Sequence, residues 1–168
     1  MLKLKKILSQ RLKGAKDIAV LGVGSDLRAD DAAGELVARS LAAGCKNRKV
    51  KFFFGSTAPE NLTGEIKKFA PTDLLIIDSA DLGLKSGQAK ILSAEEIGGV
   101  SFSTHRLPTK VMVDYLVNSL KCKATIIAIQ PKILSFGKSP SKEIKETVMN
   151  LSKIIKEIIH TTFKEERR

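Results

Sequence analysis

Apolar and polar positions follow two periods along this chain, one helical and one strand-like, and the period changes at glycines and prolines. Leu4, Ile7, Leu8 and Leu12 recur at helical spacing, which predicts an amphipathic helix over residues 2–13 ending near Gly14. "DIAVLGVG" (17–24) is a continuous apolar run of strand length. Leu36, Val37 and Leu41 supply the stripe of a helix that Asp30 or Asp31 can cap and Gly44 stops. "KVKFFFG" (49–55) predicts a second strand, followed by the loop "STAPEN" and a short helix in "NLTGEIKKFA" that Gly64 weakens. "DLLIIDSA" (73–80) stays apolar until it meets Asp78 and predicts the central strand, while "QAKILSAEEI" predicts an edge strand. A loop opening at His105 leads into a helix carrying Val111, Val113, Leu116, Val117 and Leu120. "KATIIAIQP" (123–131) is another buried strand. Ser139 as cap and Pro140 at the first position then open a long helix striped from Ile144 to Ile159.

Strands alternating with helices predict an α/β fold. We expect a three-layer sandwich: a mostly parallel twisted sheet of about five strands with helices on both faces. A chain of 168 residues is sized for one domain, here 1–168, with residues 1–16 as a basic helical extension. In such sheets the ligand crevice lies outside the carboxyl ends of the strands. The pattern delivers Asp31 there after the first strand, Ser56 and Thr57 after the second, and Asp78 at the end of the third. His105 sits in the loop before a helix, and Gln130 ends the last strand.

Composition narrows the function classes. Hydrophobic residues make up 43% and charged residues 28%, an ordinary soluble balance. No apolar run approaches the ~20 residues that span a bilayer. Lysines interrupt the apolar residues at the N-terminus, so no signal-peptide core forms. Cys45 and Cys122 lie far apart without metal or redox spacing, which fits a reducing cytoplasm. The net charge is +11, and residues 1–16 hold six Lys/Arg and no acid. A nucleic-acid binder would carry a basic stripe interleaved with aromatics across its folded body. Here most of the seven Phe lie in apolar runs, and Trp is absent. The basic segment is therefore expected to be a solvated helix, or one that attracts an acidic partner protein.

The turn in "VLGVGSDLRADDAAG" (20–34) carries two glycines and three acids, Asp26, Asp30 and Asp31. A dinucleotide cradle needs a third glycine, and carboxylates in the turn would oppose a phosphate. Carboxylates gathered at a sheet edge with a histidine suit a divalent cation instead. Asp31, Asp78 and His105 would offer two oxygens and one imidazole with positions left open, a set suited to nickel, zinc, manganese or iron. Structural alternatives stand beside this: an aspartate pair capping a helix, and His105 as an ordinary loop residue.

"VLGVGSDLRADDAAG" also resembles the N-terminal signature of the NiFe-hydrogenase maturation endopeptidases, in which a G-N-x-L-x-x-D-D/E-x-x-G run follows the first strand. "GSTAPENL", "LLIIDSADLGLKSGQ", "SFSTHRLP" and "IAIQP" match the family in order. The resemblance spans residues 17–160 and is strongest to the branch serving formate-hydrogenlyase-type and archaeal hydrogenases; the basic N-terminal helix lies outside it. It implies a cytoplasmic, monomeric peptidase, aspartic-type or metal-assisted, that removes a C-terminal peptide from a hydrogenase large-subunit precursor. The family's metal-contacting positions map onto Asp31, Asp78 and His105. The resemblance implies that nickel arrives with the substrate, the isolated protein being expected either metal-free or with an adventitious divalent cation at the site. No nucleic acid or membrane insertion is implied.

Two positions depart from the family pattern. Ser25 replaces an Asn, and Phe54 stands where many members carry an acid before the glycine that ends the second strand. A phenyl ring moves no proton, so Asp31, a metal-bound water, Asp30 or Glu60 would have to serve instead, and a non-cleaving nickel-recognition scaffold is the alternative reading. Phe54 is expected to pack against the neighbouring helix. The N-terminal segment is expected to tune partner association rather than chemistry, so that deleting residues 1–13 would mainly slow encounter with the precursor and flatten its salt dependence.

Overall fold

The computed structural model describes residues 1–99, 101–102 and 109–165. The parallel strands β1 (Ile18–Val23), β2 (Val50–Ser56), β3 (Asp73–Asp81) and β6 (Lys123–Ile129) form the body of the sheet. Strand β4 (Ala89–Leu92) lies antiparallel on β6, giving the order β2-β1-β3-β6-β4. A two-residue strand, β5 (Ser101–Phe102), pairs antiparallel with the far end of β3. Every residue of β1 and all but the last of β3 are buried, as central strands covered on both faces must be. That is why β1 and the Leu74–Ile77 stretch of β3 read as unbroken apolar runs.

One face carries α1 (Leu2–Arg11), α2 (Ala33–Gly44) and α6 (Lys142–Glu165); the other carries α3 (Thr63–Phe69) and α5 (Thr109–Leu120). The expected three-layer arrangement is what the chain adopts, with β4 the one reversed strand along the main sheet path. On β3, Leu75 and Ile77 face the α2/α6 layer, whereas Leu74, Ile76 and Ala80 face α3 and α5. Strand alternation therefore sets Asp78 on the α3/α5 side.

Three local expectations are corrected. "QAKILSAEEI" is not one edge strand: β4 stops at Leu92 and α4 (Ala94–Gly99) begins. Ser93 accounts for the break, because Glu96 N–H donates to its Oγ (3.3 Å) while its own N–H donates to Glu96 Oε2 (3.0 Å), a reciprocal helix cap. The last helix starts at Lys142, later than Ser139–Pro140 predict, and Ser141 caps it by accepting from Ile144 N–H (3.4 Å).

The N-terminal segment is the third correction. Leu4, Leu8 and Leu12 are buried in the core between α1, α6 and β4, and Lys5 pairs with Glu157 of α6 at 2.7 Å. Each buried leucine contributes roughly 1.5–3 kcal/mol. The segment is thus part of the fold, and only its basic face is solvated. Among the described residues no helix is long and apolar enough to cross a membrane.

Candidate functional site

The parallel strands end at one edge of the sheet, and the chain leaves two of them through strained turns. Ala29 (φ 48°) precedes the acids that follow β1, and Ser56 (φ 45°) ends β2. Left-handed backbone at a non-glycine costs of order 1–3 kcal/mol and persists only where surrounding contacts impose it. Here the contacts are visible. Ser56 N–H donates to Glu35 Oε2 (2.9 Å) and its carbonyl accepts from Gly24 N–H (2.9 Å).

Asp30 and Asp31 occupy a 3-10 turn over Ala29–Ala32 that leads into α2. Both are fully buried. Neither caps α2, whose first turn has no side-chain cap, so the helix-cap alternative does not hold. Asp30 instead grips the loop before α6. Its Oδ2 accepts from the N–H groups of Lys132 (2.8 Å) and Ile133 (2.9 Å) and from Ser141 Oγ (3.0 Å), and its Oδ1 accepts from Ser141 N–H (2.6 Å). A carboxylate so committed has no capacity left to replace a missing catalytic acid.

Asp31 turns the other way. Its Oδ2 accepts from Ser25 N–H at 2.8 Å, folding the acid back over the end of β1. The contact is close: a Cβ on Gly24 (φ 125°) would stand 1.8 Å from the Asp31 carbonyl oxygen. Three residues on, a Cβ on Gly34 would meet the carbonyls of Ile77 (2.0 Å) and Val23 (2.4 Å). Glycine at 34 lets the start of α2 rest directly on the ends of β1 and β3. Gly22 pairs with Ile77 in the β1–β3 register, so Asp78 begins where β1 ends. Asp78 is fully buried and its Oδ1 accepts from Ser79 N–H (2.7 Å). Two buried carboxylates, Asp31 and Asp78, thus reach one edge from neighbouring strands. His105 lies outside the described residues.

The other edge residues have structural duties. Gln130 Oε1 accepts from Leu82 (2.7 Å) and Leu84 (3.2 Å) N–H groups, and its Nε2 donates to the carbonyl of Pro131 (3.2 Å), fixing the loop after β3. Glu35, which sequence reasoning passed over, is buried and ties Ser56 to Arg39, whose Nη2 lies 2.6 Å from its Oε1. The i, i+4 spacing of an acid and an arginine was the available signal. Phe54 is not buried: it is 40% exposed, and the Arg39 guanidinium stacks 4.8 Å from its ring centroid. It meets α2 through that one cation rather than through the core. Among the described residues Glu60 Oε2 is buried without a hydrogen-bond partner. Burial pushes the Cys122 thiol up from its usual range, which keeps it protonated and poor as a nucleophile.

Comparison with known proteins identifies the family of the chain. The family model described as hydrogenase maturation protease matches residues 36–159. A putative hydrogenase maturation protease of Methanocaldococcus jannaschii is 34% identical over 166 residues, covering 92% of this chain and 98% of the relative. The hydrogenase 3 maturation protease of Escherichia coli K12 is 34% identical over 130 residues, 77% of this chain and 82% of that one. Among solved structures, the NiFe hydrogenase maturation protease HycI from Thermococcus kodakarensis superposes with a TM-score of 0.86 at 30% identity. That match covers 92% of this chain and 99% of the other. With most of its length matched by the family model and by relatives above 30% identity, the chain belongs to the hydrogenase maturation protease family.

Proposed function

We propose that this chain is the endopeptidase that removes the C-terminal peptide of a NiFe-hydrogenase large-subunit precursor after nickel insertion. The observation that carries the reading is the pair of fully buried carboxylates, Asp31 and Asp78, at one carboxyl edge of the sheet. His105, which the sequence resemblance adds to the pair, would complete an oxygen–oxygen–nitrogen donor set of the kind that suits a borderline divalent ion such as nickel. The metal belongs to the substrate, where it supplies an anchoring point. The work of this chain is positional: two rigidly held carboxylates and an imidazole dock the precursor so that the scissile bond lies in a fixed place, and orientation of this kind supplies much of an enzyme's advantage. The bond from Ser25 N–H and the packing at Gly24 hold Asp31 in one geometry. Cys122 is buried just before β6 begins, at the end of that strand away from these carboxylates.

The test is incubation of the purified chain with nickel-loaded and nickel-free precursors, read by mass spectrometry. Release of the C-terminal peptide from the loaded form alone, lost on Asp31→Asn and Asp78→Asn, is expected. Equal cleavage of both forms would overturn nickel recognition. Tight binding of the loaded precursor without cleavage would favour the scaffold reading that Phe54 raises.

A further inference from the structure

Two surface loops beside the acids are sewn together along their length. Gly137 N–H donates to the Leu27 carbonyl (2.8 Å), Asp30 N–H donates to the Ile133 carbonyl (3.0 Å), and the Asp30 carboxylate grips Lys132, Ile133 and Ser141. Leu27 N–H is itself held by Ser25 Oγ (3.3 Å). Yet these fixed loops hold three large apolar side chains out to solvent: Leu27 at 56%, Ile133 at 36% and Phe136 at 74% exposure. Scattered exposed hydrophobics need no explanation, but three on one braced pair of loops form a patch of the kind that marks an interaction surface. The bracing matters because ordered contact residues lose little entropy on binding.

The charges on the same loops indicate the partner. Arg28 and Lys138 stand there against the exposed acid Asp26, while Lys132 is paired with Glu143 at 2.7 Å, so the unpaired charge of these loops is positive by the margin of one around an apolar centre. The patch is also continuous with the candidate site, since Ser25, which holds Asp31, opens the loop that carries Leu27.

We infer that Leu27, Ile133 and Phe136 form the docking surface for a segment of the precursor that presents apolar side chains next to carboxylates. This rests on the peptidase reading above and names the chemistry that would bring the substrate to it. Apolar anchors at the centre of such a surface hold the complex, and rim charges speed encounter.

The experiment measures binding and cleavage separately, with nickel-loaded precursor as the probe. The double variant Leu27→Ser/Phe136→Ser should raise Kd and KM at least tenfold and leave kcat within about twofold and the melting temperature unchanged. Lys138→Glu should slow association at low salt, with the difference vanishing at high salt. Wild-type Kd and KM in the double variant would overturn the docking surface while leaving the peptidase reading intact. A wild type that binds without cleaving would sink the peptidase reading, and the Kd arm would still decide the docking surface. A wild type that neither binds nor cleaves would overturn both. Concentration-dependent dimers in sedimentation that the double variant abolishes would reassign the patch to a second copy of this chain. Capture by anionic vesicles that the double variant loses would reassign it to a lipid surface. Either result overturns the inference.

Discussion

Exchanging Asp30 for asparagine keeps the shape of the side chain and changes only what it can accept. In the structure its two oxygens accept from three backbone N–H groups and one hydroxyl on the loop before α6. An amide has one acceptor. Whichever way it turns, its NH2 faces either Ser141 N–H or the Lys132–Ile133 pair, so at least one donor opposes another donor. The remaining bonds also lose their charge. An orphaned buried donor costs ~1–3 kcal/mol and a charge-assisted bond contributes ~1.5–3. Water reaches part of this loop, so a total near the lower end, about 3 kcal/mol, is expected. For a chain of this size that lowers the melting temperature by roughly 6–12 °C.

The neighbouring exchange, Asp31→Asn, is the control. Its carbonyl oxygen can still accept from Ser25 N–H, so the stability cost should stay below about 1.5 kcal/mol. Thermal unfolding of the three proteins, with precursor processing assayed well below the lowest melting temperature, separates the two roles. Asp30→Asn should melt early and process normally while folded; Asp31→Asn should melt close to wild type and fail to process. An Asp30→Asn protein as stable as wild type would refute the hydrogen-bond reasoning, because no other feature of the loop replaces those acceptors. Processing by Asp31→Asn would remove Asp31 from the site.

The N-terminal helix gives a second contrast: Leu8→Ala, at a fully buried position, should cost about 2–5 kcal/mol in urea unfolding. Lys5→Ala, which breaks the half-exposed pair with Glu157, should change stability little. Equal effects would mean that α1 is held by charge and not by its leucines. Phe54→Ala should cost only about 1 kcal/mol, since an exposed cation–π contact contributes ~0.5–1. Processing should survive it; a loss of several kcal/mol would show a buried role that the structure does not contain.

The sequence made some parts of this fold plain and hid others for identifiable reasons. Strands β1, β3 and β6 are legible because strands covered on both faces carry near-continuous apolar runs, here of strand length and flanked by Gly24, Pro71 and Pro131. The change from β4 to α4 was also written down, in the S-x-x-E of Ser93–Glu96, but the apolar residues before it drew the whole stretch into one strand. The start of α6 could not be read locally. Ser139–Pro140 is the better cap by composition, yet Asp30, 111 residues away, holds Ser141 and moves the helix start to it. Phe54 shows a limit of alternation, which gives the face of a strand but not how far the covering helix reaches. Its ring therefore meets Arg39 and solvent, where burial was expected.

The two adjacent aspartates were the least legible pair, because the same residue type stands at consecutive positions. The backbone separates them. A 3-10 turn advances three residues per turn, so successive side chains leave it about 120° apart. Asp30 is thereby aimed at the loop before α6, and Asp31 at the turn that ends β1. An α-helical start at the same place would have separated them by about 100° but with a shorter rise, and would have made one of them the cap. The left-handed Ala29 and the close approach of Gly24 to Asp31 set the tighter turn instead. One acid then binds the frame, and its neighbour is left at the sheet edge reached by Asp78. The strain at Ala29, the packing at Gly24 and the bond from Ser25 N–H fix where Asp31 stands, while the bonds to Asp30 secure the loop before α6 and with it the stability of the fold.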